Sequence, residues 1–269
     1  MGKKTFLQYK GYNRTPSLFF DNGFELFKSI ELNTVEDNLA KNINFTNQRL
    51  GKLVEEFVFY QLKQLPNVNW LAENLQIQKG KQTIGEIDAL FIRENKSIHL
   101  EIVYKFYLYD HSKTYNNPLS YWIGPNRNDS LVYKLEKLKS KQFPLLYKNE
   151  TKFQLKKINI EIEEFEQQLC FKAQLFLPFN NRELNLELLN KDCIMGFYCS
   201  FKDISTFNEF EFYIPSKLDW LIIPHNEVEW ITYVEAVADI KKFIEINKSP
   251  MIWLKHNEST IEKCFITFW

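Results

Sequence analysis

Apolar residues recur at helical spacing in three segments of the chain, and each segment predicts a helix. The first runs from about Asn47 to Gln64, with Thr46 as its N-cap. The second follows Asn128 or Asp129, either of which suits an N-cap, and the third runs from about residue 230 to residue 246. The apolar stripes are Leu50, Leu53, Val54, Phe57, Val58 and Leu62, then Leu131, Leu135 and Leu138, and finally Val234, Val237, Ile240 and Ile244.

Runs of β-branched and aromatic residues between short polar turns predict strands. Three of them follow one another closely, over residues 70–78, 84–93 and 98–109, and their short turns favour a meander of hairpins. Further strands are expected over residues 169–179, 193–201, 210–214, 250–255 and 261–268. No Pro/Gly/Ser-rich linker interrupts the chain, so we expect a single domain over residues 1–269.

Composition and charge exclude several classes of protein. The 34 basic residues balance 34 acidic ones, so a general nucleic-acid coat protein is excluded and any nucleic-acid contact needs a local basic patch. Four cysteines without C-x-x-C spacing indicate neither a zinc site nor a disulfide framework. The chain has no signal-peptide-like start and no run of about 18 apolar residues, so we expect a cytoplasmic protein with no membrane contact. Its oligomeric state is left open.

One such basic patch follows the third predicted strand. Between residues 113 and 157, ten basic residues stand against three acidic ones. This excess is typical of a surface that follows phosphates, and a solvated helix face is the alternative. The candidate nucleic-acid contacts are Arg127, Lys134, Lys137 and Lys141, with Tyr115, Tyr121 and Trp122 available to stack on bases.

Two carboxylates interrupt the apolar strands. Asp88 lies within the second strand of the meander and Glu101 within the third, and adjacent strands of a hairpin can bring them side by side. Because buried like charges repel, a cation between them would explain the pair, and oxygen ligands suit magnesium or manganese. Lys105 shares the face of Glu101 and is a candidate to orient a water or neutralise developing charge. The alternative is a structural salt bridge to Lys105 or a nearby arginine.

An acidic residue in a helix, an Asp on a following strand and a Glu with a Lys on the next strand resemble the pattern of the PD-(D/E)XK nuclease superfamily. The string from His99 to Leu108 is similar to the signature of a bacterial family of unknown function placed in that superfamily. Other segments fit the same family, and together they span about residues 49–224. They are Arg49–Lys52 with Glu55, Gly85–Asp88, Trp122–Asn126 and Leu218–Pro224.

The resemblance implies an α/β protein with a restriction-endonuclease-like core (helix, three-strand meander, helix, strand). That core would cover about residues 46–180, with a β-rich C-terminal extension over about 181–269. It further implies a magnesium-dependent endonuclease or exonuclease, with Asp88 and Glu101 as metal ligands. Glu55 would be a further ligand or base, and Glu86, on the face of Asp88, would support them from the second coordination sphere.

The sequence departs from the superfamily pattern at the lysine. Val103 occupies the expected position, and Lys105 lies one step farther along the same face of the strand. We expect the Lys105 ammonium to reach back over Val103 toward Asp88 and Glu101. The alternative is a catalytically inactive relative that kept the fold and binds nucleic acid or a protein partner.

Overall fold

The computed structural model describes residues 2–20, 27–30, 32, 45, 47–160, 164–184, 186 and 188–269. The expected N-cap Thr46 lies outside these residues, and the expectation is wrong, because the second helix begins at Leu50 with Arg49 at the N-cap position. The helices within them are α1 (Lys3–Arg14), α2 (Leu50–Lys63), α3 (Leu131–Lys137), α4 (Phe143–Leu145), α5 (Asn149–Lys157) and α6 (Tyr233–Glu245). The strands are β1 (Lys28–Ser29), β2 (Val68–Lys79), β3 (Gln82–Arg93), β4 (Lys96–Tyr109), β5 (Trp122–Ile123), β6 (Phe165–Pro178), β7 (Ile194–Ser200), β8 (Glu211–Tyr213), β9 (Met251–Asn257) and β10 (Thr260–Thr267).

These strands form one mixed sheet, which confirms the general α/β class. Its order is β2-β3-β4-β6-β7-β10-β9-β8, with β1 beside β6 and β5 beside β4. The four central strands β4, β6, β7 and β10 run parallel. On one side β3 and β2 continue the sheet in antiparallel pairing, and on the other side β9 pairs antiparallel with β10. The C-terminal strands therefore extend the same sheet. None of the described helices is long and apolar enough to cross a membrane.

The helices cover both faces of the sheet, and the alternation of side chains along β4 shows why. Tyr104 and Phe106 belong to the cluster that contains Phe57 of α2, whereas Val103 belongs to the cluster that contains Leu131 of α3. Successive side chains of a strand point to opposite faces. Thus α1 and α2 cover one face, and α3 covers the other.

The start of α3 corrects one expectation. Ser130, rather than Asn128 or Asp129, is the N-cap, because its side chain accepts a hydrogen bond of 3.2 Å from the backbone N–H of Tyr133. Asp129 instead accepts from the backbone N–H of Ser130 and binds Lys105. After α3, a π-helical turn over Leu138–Gln142 leads into α4.

The feature that positions the site is a separation of β3 from β4. Their pairing runs from Arg93–Lys96 to Ala89–Leu100 and ends there. Beyond that point β3 continues with β2 as a two-stranded ribbon, while β4 continues with β6. The sheet therefore opens immediately beside Asp88 and Glu101.

Candidate metal centre

Asp88 lies at the point where the two strands separate. It is 7% exposed, and its Oδ2 accepts a hydrogen bond of 2.8 Å from the backbone N–H of Ile102. This N–H lies on the edge of β4 that faces β3, so the Asp88 carboxylate takes the place of a strand carbonyl. The contact ties Asp88 to β4 and holds it in the opening.

Three carboxylates converge there from two elements. Glu55 of α2 and Glu86 and Asp88 of β3 each offer an oxygen, and these oxygens lie within 4.8 Å of one another. We call these three residues the acidic trio. Lys52, one turn before Glu55 on α2, binds Glu86 and donates a hydrogen bond of 2.6 Å to Glu55. Lys52 thus supplies one positive charge to a site with three carboxylates.

Glu101 lies next to the acidic trio but does not belong to it. It is fully buried, and its two oxygens have different partners: His99 Nε2 lies 3.1 Å from Oε1, and the side-chain amide of Gln142 donates to Oε2. The Gln142 carbonyl in turn accepts a hydrogen bond of 2.8 Å from Lys134 Nζ. A chain of contacts therefore links His99, Glu101, Gln142 and Lys134.

Three carboxyl groups of this region, those of Glu55, Asp88 and Glu101, have elevated pKa values. Burial, followed by the charge of Asp88, raises the pKa of Glu55 to about 7. Burial and the charge of Glu101 raise the pKa of Asp88 to about 7, and burial raises the pKa of Glu101 to about 8. Burial also lowers the pKa of His99 to about 4, so the ring is neutral at pH 7. The site therefore has too little positive charge to keep all its carboxylates ionised at neutral pH.

The structure places Lys105 and Lys134 differently from the sequence-based expectation. Lys105 does not reach back over Val103, because Asp129 binds its ammonium. Lys134 of α3 is oriented toward the carboxylates instead, and its charge favours the ionised forms of both Asp88 and Glu101. Burial lowers the pKa of Lys134, although the charge of Glu101 opposes that shift.

The other expected nucleic-acid contacts divide into two groups. Arg127 is engaged within the protein, because its guanidinium lies 3.9 Å from the ring centre of Trp269 and 3.3 Å from Asp110. Lys137 and Lys141 are exposed, and the charge of Lys137 reaches Glu101. Trp122 is 2% exposed and packs in the core beneath α3, so the expectation that it stacks on bases is wrong.

A cavity of about 580 Å³ adjoins the acidic trio. Glu55, Lys105 and Lys134 lie on its wall, together with the β4 residues from Ile102 to Phe106. Three segments distant in sequence also contribute to the wall, and each of them includes residues of the motifs singled out in the sequence. These wall residues are Arg49, Leu50 and Gly51, then Gly124, Pro125 and Asn126, and finally Leu218 and Trp220.

The family described as "Domain of unknown function (DUF1853)" matches residues 26–262. The chain belongs to this family. No curated protein and no solved structure matches the chain. The matched range covers the acidic trio, Glu101, Lys134 and every segment that lines the cavity.

Two residues of the candidate site, Glu86 and Lys52, are more directly involved than the sequence suggested. Glu86 belongs to the acidic trio, and its shared face with Asp88 is the sequence signal for that. Lys52 precedes Glu55 by three residues on α2, a spacing that places both side chains on one face of the helix.

Proposed function

We propose that the protein is a metal-dependent phosphodiesterase that cleaves nucleic acid. The observation that carries the proposal is the acidic trio, which lies where β3 and β4 separate and has Glu55 on the wall of a cavity that basic residues also line. Two further features support it. The sequence motifs resemble those of the PD-(D/E)XK nucleases, and the order of α2, β2, β3 and β4 is compatible with the helix and three-strand meander that this resemblance implies.

The residues of the trio fit a magnesium or manganese ion. They offer carboxylate oxygens, which these hard cations prefer. The raised pKa values of Glu55 and Asp88 show that nearby lysines only partly compensate the buried charge. When bound, the ion would supply Lewis-acid activation of a water and of the phosphate. Glu101 adjoins the trio, since its charge raises the pKa of Asp88, and we assign to it the role of acting on the same water.

The chain's own residues then have separate tasks. The backbone N–H of Ile102 orients Asp88, and His99 with Gln142 holds Glu101. In its ionised form Glu101 accepts the proton of the attacking water as general base, and its raised pKa makes it a stronger base than an ordinary glutamate. The water oxygen forms a bond to phosphorus while the bond to the leaving oxygen breaks.

Lys134 takes the role that the sequence assigned to Lys105. It lines the cavity, and through Gln142 its ammonium is tied to Glu101. A buried cation at this position stabilises the negative charge that develops on the phosphate oxygens. Because Lys134 supplies this charge from α3, no lysine is needed on β4. Val103 can therefore occupy the strand position where the superfamily pattern has lysine.

One observation favours a second function. Lys52 already pairs with Glu55 and Glu86, so a metal must compete with an internal cation. If Lys52 is not displaced, the protein is a nucleic-acid-binding relative without catalysis. Binding without cleavage would identify that case.

The test is a cleavage assay on single-stranded and duplex DNA and RNA, with Mg²⁺, with Mn²⁺ or with a chelator. We expect cleavage that requires the metal and that falls by about 10²-fold or more in Asp88→Asn and Glu55→Gln. The matched control is Glu73→Gln, which changes an exposed carboxylate of β2 paired with Lys63. Cleavage that persists in the chelator, or in Asp88→Asn, would contradict the proposal.

A further inference from the structure

The β2–β3 ribbon continues past the acidic trio to an exposed tip. β2 and β3 pair from Val68–Arg93 to Lys79–Gln82, although the pairing of β3 with β4 ends at Ala89–Leu100. The tip residues 78–83 are all exposed. The ribbon therefore forms an arm at one wall of the opening.

One face of this arm is fixed to the protein body. Ile77 is fully buried and belongs to a cluster with Leu145 of α4 and Leu155 of α5. Gly85 lies so close to Leu145 that a Cβ on it would approach the leucine to 2.5 Å. Gln154 of α5 also donates a hydrogen bond of 2.7 Å to the Gln76 carbonyl. The arm is thus held in place before any ligand arrives.

The other face of the arm is continuous with the acidic trio. Gln76 pairs with Glu86 across the ribbon, and paired residues share a face. Lys52, which binds Glu86, also donates a hydrogen bond of 2.9 Å to Asn74 on this face. Toward the tip, the same row continues with Gln78, whose side chain donates to Thr83. A row of polar side chains thus leads from the trio to the tip.

The chemistry of the tip fits a nucleic-acid groove. Residues 74–85 include two basic residues, Lys79 and Lys81, and no acidic residue. Lys79 Nζ lies 3.6 Å from Glu150 of α5, but 73% of the lysine side chain stays exposed, so a phosphate can reach it. Glutamine and lysine are among the side chains that bind base edges and phosphates. The major groove of B-DNA is about 12 Å wide and admits a two-stranded ribbon. The deep, narrow major groove of duplex RNA does not admit one. Glu86 lies four steps along the strand from Gln82, a distance of about 14 Å. A tip placed in the groove therefore leaves the trio near a phosphate backbone that borders the groove.

We infer that the β2–β3 ribbon enters the major groove of duplex DNA and presents that duplex to the acidic trio. The inference rests on the proposed function and specifies its substrate class. Single-stranded DNA offers no groove to the arm, so the ribbon should matter for the duplex alone.

The test measures binding by fluorescence anisotropy in Ca²⁺, with a labelled DNA duplex, the same DNA as a single strand, and the matching RNA duplex. The variant is Lys79→Ala with Lys81→Ala. Its control, Lys241→Ala with Lys248→Ala, removes the same charge from exposed positions of α6 and the loop after it, which lie beside β8 at the opposite edge of the sheet.

We expect the ribbon variant to bind the DNA duplex about tenfold more weakly, and its log-log salt slope to fall by about two. Single-strand affinity and the control should change less than about twofold. The wild-type protein should prefer duplex DNA to duplex RNA.

Unchanged duplex affinity in the ribbon variant, or an equal loss of affinity for single strands, would overturn the inference. The proposed function would still stand if the wild type cleaves nucleic acid in a metal-dependent way. A wild-type protein that binds none of the three probes would overturn both. Melting curves of the variants confirm that the fold is retained, since both lysines are exposed.

Discussion

Replacing Asp88 by asparagine should stabilise the metal-free protein at neutral and alkaline pH, which is unusual for a change at a buried polar residue. The asparagine side chain would keep an oxygen for the backbone N–H of Ile102 and would lose only the charge. In the wild type, burial and the charge of Glu101 raise the pKa of Asp88 from 3.8 to about 7. Holding that carboxylate ionised in the folded state costs about 4 kcal/mol above pH 7.

The pH dependence follows from the same pKa values. Below pH 4 the Asp88 carboxyl is protonated in the folded and the unfolded chain, so it does not affect the free energy of unfolding. Between pH 4 and pH 7 the unfolded chain ionises first, and the free energy of unfolding falls. The advantage of Asp88→Asn should therefore be absent near pH 4 and grow to about 4 kcal/mol at pH 8, or about 8–16 °C in melting temperature for a chain of this length.

Thermal unfolding of both proteins from pH 4 to pH 8, with and without Mn²⁺, measures this difference. Mn²⁺ should raise the melting temperature of the wild type and leave that of Asp88→Asn unchanged. Asp110→Asn is the matched control. Asp110 is also buried, but hydrogen bonds from Ser112 and the charge of Arg127 outweigh burial and lower its pKa, so this change should destabilise the protein above pH 4. An Asp88→Asn protein less stable than the wild type at pH 8, or still stabilised by Mn²⁺, would refute the reasoning.

Three other predictions concern the lysines, the metal and Arg127. Lys134→Ala should reduce metal-dependent cleavage by about 10²–10³-fold, whereas Lys105→Ala should reduce it far less; the reverse order in single-turnover rates would return the role to Lys105. Calorimetric titration should show Mn²⁺ affinity rising from pH 6 to pH 8, because carboxyl groups with pKa values near 7 must release protons to bind it, and a flat profile would argue against this. Arg127→Ala should lower the melting temperature, since it removes the contacts with Asp110 and Trp269, and should leave the salt dependence of nucleic-acid binding unchanged; a reduced salt slope would show that Arg127 contacts phosphate.

Much of the fold could be predicted because its signals are local. The apolar stripe of α2 and the β-branched runs of β2, β3 and β4 appear directly in the sequence, and the observed strands differ from the expected ones by a few residues at their ends. The start of α3 was misplaced because Asn128, Asp129 and Ser130 are all good N-caps. Only the backbone geometry selects Ser130.

The candidate site was predicted in part, for a similar reason. A carboxylate in an apolar strand is conspicuous, so Asp88 and Glu101 could be found from their neighbours alone. The contact of Lys134 with Gln142 could not be predicted from the sequence. It depends on the π-helical turn that ends at Gln142, and this turn has no recognisable sequence pattern. The engagement of Arg127 was equally hidden, since its partner Trp269 is far away in the sequence.

The central claim is that the opening between β3 and β4 is a divalent-cation centre. The most direct measurement is anomalous diffraction at the manganese edge from crystals of the protein grown with Mn²⁺. We expect a peak among the carboxylates of Glu55, Glu86 and Asp88, with Lys52 displaced from Glu55 and Glu86. Crystals without a peak at this position, in which Lys52 still bridges the two glutamates, would contradict it.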